Sequence, residues 1–305
     1  MKETIEYNYN IEIDKLDESL ETYSFRYINE IFLFCPFKRN KNDINELVSC
    51  SNELKNLNIP CFEMMQDKNG KELVVVDGEE YVLLKILNTY SNEVDLIDMI
   101  EISKKTRVSG EKLEKYKNNW GDLWSQKVDY FEYQVAQLGH GKDIIIDSFS
   151  YFIGLAENAI TMVNKCNKKY EYGKDDNVCL SHRRIFSPNY VLNYHNPISF
   201  LLDLEVRDFA EYIKSSFYNN ENAILEVETY LKSRRLSIYS YQMFYARLIF
   251  PSTYFDLYEN AINDKSKEED IIHIIKSCSE YEKFLADVLV IIRKYVNIEG
   301  LTWIN

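Results

Sequence analysis

The stretch LSHRRIFSPN, residues 180–189, holds a histidine, His182, and an asparagine, Asn189, at a spacing that phosphoryl-transfer enzymes use in their catalytic loops. In such a loop an acidic residue two places after the histidine orients the attacking hydroxyl and accepts its proton, while the asparagine helps to hold Mg²⁺. Here that acidic place holds Arg184, preceded by Arg183. A guanidinium stays protonated at any useful pH, so Arg184 cannot be the base. A positioned general base contributes about 10²–10⁴-fold in rate. A cation at this place also disfavours a neighbouring metal ion.

The elements that must position this loop follow from the apolar pattern. Residues 1–36 alternate apolar with polar positions, and YSFRYINEIFLFCPF (23–37) predicts a strand ended by Pro36. NDINELVSCSNELKNLN (42–58) predicts a helix capped by Asn42 or Asp43 and stopped before Pro60. Three strands are expected at 61–66, 71–78 and 79–87, with turns at DKNG and DG. Helices are expected at 120–138, at 148–166 with Ser148 as cap, at 222–236, at 240–262 with a break at Pro251, and at 268–296. Between them lies a non-helical island, 178–213, with two strand-like pieces and a closing helix whose DFAE (208–211) reads as a capping box with Asp208 as the cap. The expected class is α+β: a β-rich N-lobe with one helix over 1–92, a joint near 88–95, and a helical C-lobe over 93–305 that carries the island.

The N-lobe offers an independent check on the loop. A phosphate-cradling turn needs glycines for close backbone approach, and no glycine precedes Gly70. The strand EIFLFCP has no lysine to pair with phosphate, and Cys35 stands near that place. Lys85 is on a later strand and reads as a structural or solvated lysine.

The island also resembles a known family. LSHRRIFSPN is similar to the L-x-H-G-D-x-x-x-x-N loop of the aminoglycoside phosphotransferase-like kinases, with His182 on the His, Arg183 on the Gly, Arg184 on the catalytic Asp and Asn189 on the metal-binding Asn. FLLDLEVRDFAEY resembles the I-D-F segment and the D-L-A helix start that follows it, at a shorter interval, with Asp203 on the metal-binding Asp and Asp208 on the helix-start Asp. DSFSYFIGLAENAI, SHRRI, RDFAEYI and YQMFYARLIFPSTYFDLYE together resemble the YutH-type spore-coat proteins, in the CotS-like branch of that superfamily. The resemblance implies a bilobal, protein-kinase-like fold. With the glycine loop, the lysine and the catalytic aspartate all missing, it implies a pseudokinase of the spore coat.

Composition narrows the remaining choices. A net charge of −13 argues against nucleic acid as a partner. No apolar run is long enough to cross a bilayer, and the N-terminus lacks the apolar core of a signal peptide. The six cysteines form no C-x-x-C, and the four histidines make no metal spacing with them. The 24 tyrosines accompany abundant Lys, Asn and Ile. AT-rich codons account for that set; the other reading of the tyrosines is selection for the surface, for cross-linking or aromatic contacts.

The expectation is therefore a non-catalytic protein, made in the mother-cell cytoplasm and assembled into the coat through contacts with other coat proteins. No cofactor and no metal are expected. The alternatives are a small-molecule kinase with a modified site, acting on a sugar, aminoglycoside or homoserine-type hydroxyl with ATP and Mg²⁺, and a metal-independent anion sensor using Arg183 and Arg184. Each candidate also has a plainer reading: His182 as a hydrogen-bonded core histidine, Asn189 and Asp203 as remnants that keep loop geometry, and Arg183 and Arg184 as salt-bridge partners of Asp203, Glu205 or Asp208.

Overall fold

The computed structural model describes residues 1–305 except 20–21, 87–93, 110–115, 139–142, 171–175, 186–193, 264–267 and 304–305. Contacts divide the chain into two units, Met1–Thr106 with His182–Leu201, and Arg107–Ser181 with Leu202–Asn305. The joint expected near 88–95 falls mostly outside the described residues.

The first unit is built on antiparallel strands: β1 (Leu16–Ser19), β2 (Thr22–Tyr27), β3 (Glu30–Pro36), β4 (Glu63–Met65), β5 (Leu73–Val76) and β6 (Glu79–Ile86). Their order is β1-β2-β3-β6-β4, and β5 also pairs with β6. The run 23–37, expected as one strand, is a hairpin in which Tyr27 faces Glu30 and the turn residues Ile28 and Asn29 have φ of 47° and 61°. Two left-handed residues are what a tight hairpin turn requires. Asn tolerates that region and a β-branched residue disfavours it, so nothing in the sequence announces this turn. Ile28 is 76% exposed and meets no packing constraint there. The DG turn behaves as its sequence predicts, with Asp77 and Gly78 at φ of 51° and 89°.

Residues 2–9 form a helix, α1 (Lys2–Tyr9), where alternation predicts a strand. Ile5 is fully buried beside Phe25, Phe32, Phe34 and Leu83, and Tyr9 sets its ring edge-on to Phe34. Ile5 and Tyr9 are four apart and share one helix face, so docking onto the sheet overrides the local pattern. The next helix, α2 (Ile44–Asn56), occurs as expected, but neither proposed cap acts as one. Asp43 at the cap position makes no side-chain cap bond, and its carboxylate accepts from Arg39 Nε at 3.1 Å. Asn40 caps the short 3₁₀ turn ahead of it. A third helix, α3 (Leu96–Lys105), starts on a capping box of Asp95 and Asp98.

The second unit is mostly helical: α4 (Trp120–Leu138), α5 (Asp143–Lys169), α6 (Val206–Tyr218), α7 (Ala223–Ser233), α8 (Ile238–Ile249), α9 (Ser252–Asn263), α10 (Glu268–Lys276) and α11 (Cys278–Arg293). A small two-stranded sheet, β7 (Val178–His182) with β8 (Phe200–Leu204), interrupts them. Helix α5 begins a turn before the expected Ser148 cap. Ser148 lies inside it, bonding the carbonyl of Ile145 at 3.2 Å, because buried Ile145 extends the apolar stripe N-terminally. The break at Pro251 is present between α8 and α9. The expected single helix 268–296 is divided at Ser277, whose hydroxyl donates to the carbonyl of His273, four residues back, at 2.8 Å. Such back-bonding bends helices.

Aromatic rings fill this unit. Trp124 stacks on Phe250 at 4.2 Å, Phe131 on Phe255 at 4.5 Å and Phe152 on Tyr254 at 3.7 Å. Tyr230, Tyr245, Tyr254 and Tyr258 are fully buried. Among the described residues only Tyr7, Tyr130, Tyr133 and Tyr295 are exposed, so most of the described tyrosines are buried or half-buried.

Candidate functional site

The strand β7 is buried along its whole length and delivers His182 at its end. The His182 Nε2–H donates to the carbonyl of Tyr194 at 2.8 Å, and the ring stacks on Tyr194 at 4.3 Å with Phe200 edge-on at 5.3 Å. His182 is thus a packed, bonded core residue. Arg183 is exposed, and its backbone N–H bonds Ser199 O at 2.8 Å. Arg184 is half-buried, and its Nη1 donates to the carbonyl of Arg183 at 3.0 Å. Asn189 lies outside the described residues.

The far side of this loop is pinned to its own unit. Arg39 Nη1 donates to the carbonyls of Ile198 and Phe200 at 3.0 and 2.6 Å. His195 Nδ1–H donates to Pro60 O at 3.0 Å, and Phe62 N–H to His195 O at 2.9 Å. Burial lowers the His195 imidazole to about 4.

Asp203 on β8 is the most constrained residue of the island. It is 5% exposed. Its Oδ1 accepts from the Tyr116 hydroxyl at 2.5 Å and the Leu204 N–H at 2.8 Å. Its Oδ2 accepts from Trp120 Nε1 at 2.9 Å and Arg207 Nη1 at 2.7 Å. A carboxylate has about four lone-pair sites, and all are taken. Desolvation by burial, then Asp203 itself, holds the Tyr116 phenol well above its ordinary range. Mg²⁺ demands near-octahedral oxygen ligands at about 2.0–2.1 Å and keeps several waters. The Asp203 carboxylate, filled by three donors from side chains and one from backbone, does not fit that role, and its cation is a guanidinium. No cluster of three or more metal-ligating side chains occurs among the described residues.

Two of the acidic residues expected to face Arg183 and Arg184, Asp203 and Glu205, pair with other arginines. Asp203 pairs with Arg207. Glu205 takes Arg234 in a two-pronged contact at 2.8 and 2.5 Å, with Tyr230 and Asn177 completing its bonds. Asp208 is not the helix cap: α6 begins at Val206 with Glu205 at the cap position, so Asp208 stands in the first turn, where its charge suits the positive end of the helix dipole. Nor does Glu211 close a capping box, because it faces the interior. Its carboxylate accepts from Arg247 Nε at 2.6 Å, Lys214 Nζ at 3.3 Å and the Ser252 hydroxyl at 2.8 Å.

In the sheet unit, Lys85 pairs with Glu30 at 2.8 Å and lies 3.8 Å from Glu63. The hydrogen bond to Glu30 raises its ammonium. Cys35 on β3 sits opposite Val82, and burial pushes its thiol up to about 12. β3 itself carries no lysine.

Sequence reasoning missed Arg207, Tyr116, Trp120, Arg234 and the Glu211–Lys214–Arg247 cluster. A signal for the cluster was present: Arg247 interrupts the otherwise apolar run MFYARLIF, and Glu211 and Lys214 stand three apart within FAEYIKSSF.

The family described as "Spore coat putative kinase YutH" matches residues 2–288. The chain belongs to this family. A YutH-family relative, the endospore coat-associated protein YutH of Bacillus subtilis (strain 168), is 27% identical over 93% of this chain and 91% of its own length. The fold of this YutH-family chain is that of the kinase-like aminoglycoside phosphotransferases. An aminoglycoside phosphotransferase from Alicyclobacillus acidocaldarius superposes with a TM-score of 0.60 at 9% identity, covering 94% of this chain and 95% of that one. An AMP-bound spectinomycin phosphotransferase gives 0.56 at 13% identity over 90% and 93% of the two chains. A microcompartment-associated aminopropanol kinase gives 0.56 at 12% identity over 94% and 97%. At these identities the likeness concerns the fold.

Proposed function

We propose that this YutH-family chain is a non-catalytic, kinase-fold protein that acts through protein–protein contacts in sporulation or coat assembly. The observation that carries the reading is the Asp203 carboxylate, whose four acceptor sites are filled by Tyr116, Trp120, Arg207 and a backbone N–H. Arg184 in place of a base, the buried Cys35 and the absence of any glycine before Gly70 support it from separate parts of the chain. The coat-associated relative supports a role at the coat. No described helix is long and apolar enough to cross a membrane. Phosphate transfer from labelled ATP to a panel of amino-alcohol, sugar and aminoglycoside acceptors tests the catalytic half: no transfer above the protein-free rate is expected. Fractionation of purified spores tests the other half, and recovery of the protein only in vegetative cytosol would sink the coat role.

A further inference from the structure

We propose that Arg207 is a resident cation that takes the place of a divalent metal at Asp203, so that this part of the fold is complete without metal or nucleotide. The inference rests on the reading of Asp203 as the metal-position aspartate, and adds a role for residues that the resemblance does not assign.

The geometry is specific. Arg207 lies four residues after Asp203, across the turn from β8 into α6, and its guanidinium meets Oδ2 at 2.7 Å with side chains 11% and 7% exposed. A buried carboxylate needs a counter-charge, and the guanidinium supplies it from inside the chain. Tyr116 and Trp120 fill the remaining outward acceptor sites, which a metal would otherwise share with water.

The arrangement continues inward. The Trp120 ring that donates to Asp203 also lies 5.1 Å from the Arg247 guanidinium, and Arg247 donates to Glu211, which holds Lys214. Asp203 therefore stands at the end of a connected series of buried charges and rings running through α4, α6 and α8. In a metal-dependent relative such a residue would keep an open side for its ion. Here the strand end is tied on every side by groups of the same unit.

The test is a thermal-shift cycle on the full chain with EDTA, Mg²⁺ or Mn²⁺, using wild type, Arg207→Ala, Asp203→Asn and the double variant. The wild-type midpoint should be the same in EDTA and in millimolar Mg²⁺ or Mn²⁺. Arg207→Ala should lose several degrees in EDTA and regain part of the loss in Mn²⁺, which can enter the vacated space. The double variant, with no charge left to neutralise, should recover stability in EDTA and ignore Mn²⁺. If Arg207→Ala alone does not fold, recovery of a folded double variant supports the proposal and a second failure overturns it. A wild-type midpoint that rises with Mn²⁺ and loses that rise in Asp203→Asn would overturn it, as would an Arg207→Ala variant without Mn²⁺ response. These outcomes are independent of the phosphotransfer assay, because a chain that transfers phosphate fails the functional reading whatever its midpoints do.

Discussion

Glu211 holds two buried cations, so Glu211→Gln is expected to be among the most damaging single changes in the second unit. The side chains of Lys214 and Arg247 are 2% and 4% exposed, and both donate to the same Glu211 oxygen. Glutamine keeps the shape and one acceptor but removes the negative charge. The two cations then respond differently. Burial already brings the Lys214 ammonium down from 10.5 to about 8, so without the carboxylate it can shed its proton at neutral pH. Its added cost at pH 7 is limited to about 1.4 kcal/mol, at about 1.36 kcal/mol per pH unit. Arg247 cannot neutralise, and a buried charge stripped of its partner costs about 3–5 kcal/mol. The Trp120 and Trp124 rings, 5.1 and 5.5 Å from the guanidinium, offset a fraction of this. The expected loss is about 4–6 kcal/mol at pH 7, against a typical total stability of about 5–15 kcal/mol. At pH 9 the wild-type lysine is itself mostly neutral, so the difference should shrink by about 1 kcal/mol. Urea unfolding of both proteins at pH 7 and pH 9 measures this. A loss below about 2 kcal/mol at pH 7, or one that grows towards pH 9, refutes the reasoning.

Two further outcomes follow from buried groups. His195 is lowered from 6.5 to about 4, mainly by burial, so the unfolded chain takes up a proton over a range where the folded chain does not. Stability should fall as pH drops through that range, by about 3 kcal/mol from this group. His195→Gln should flatten the pH 7 to pH 4 profile by about that amount, and an unchanged slope would count against the assignment. Burial pushes Cys35, Cys61 and Cys166 up to about 12 and raises Cys179 well above 9. At pH 8 a thiol near 12 is ionised in only about one molecule in 10⁴. These four should react with a thiol reagent only on unfolding, and rapid labelling of the native protein would show the burial to be wrong.

How much the sequence disclosed depended on the range of the interaction. The helices with a sustained apolar stripe, such as α4 and α7, were legible, and so was the Pro251 break, because each depends on residues within a few turns. Helix α1 was not, since what makes it a helix is the docking of Ile5 and Tyr9 onto Phe34 and its neighbours in the sheet. The Ile28–Asn29 turn was hidden because an isoleucine occupies a left-handed place that the pairing of β2 with β3 imposes. The charge reversal at Arg184 was visible at once. The partners of Asp203 were not: Tyr116 and Trp120 are 87 and 83 residues away in sequence. Arg207 is only four away, but that spacing reads as a side-chain pair only within one helix, and here a strand turns into a helix between them. Assigning Asp203 to Arg183 or Arg184 was reasonable by proximity, and tertiary structure gave it to Arg207 instead.

The most direct test of the central claim is calorimetric titration of the wild-type chain with ATP in the presence of Mg²⁺, repeated with EDTA. The account predicts no metal-dependent binding at millimolar nucleotide, because among the described residues the cation at Asp203 is Arg207, and no glycine precedes Gly70 to cradle the phosphates. Saturable binding that requires Mg²⁺ and disappears in Asp203→Asn would contradict it.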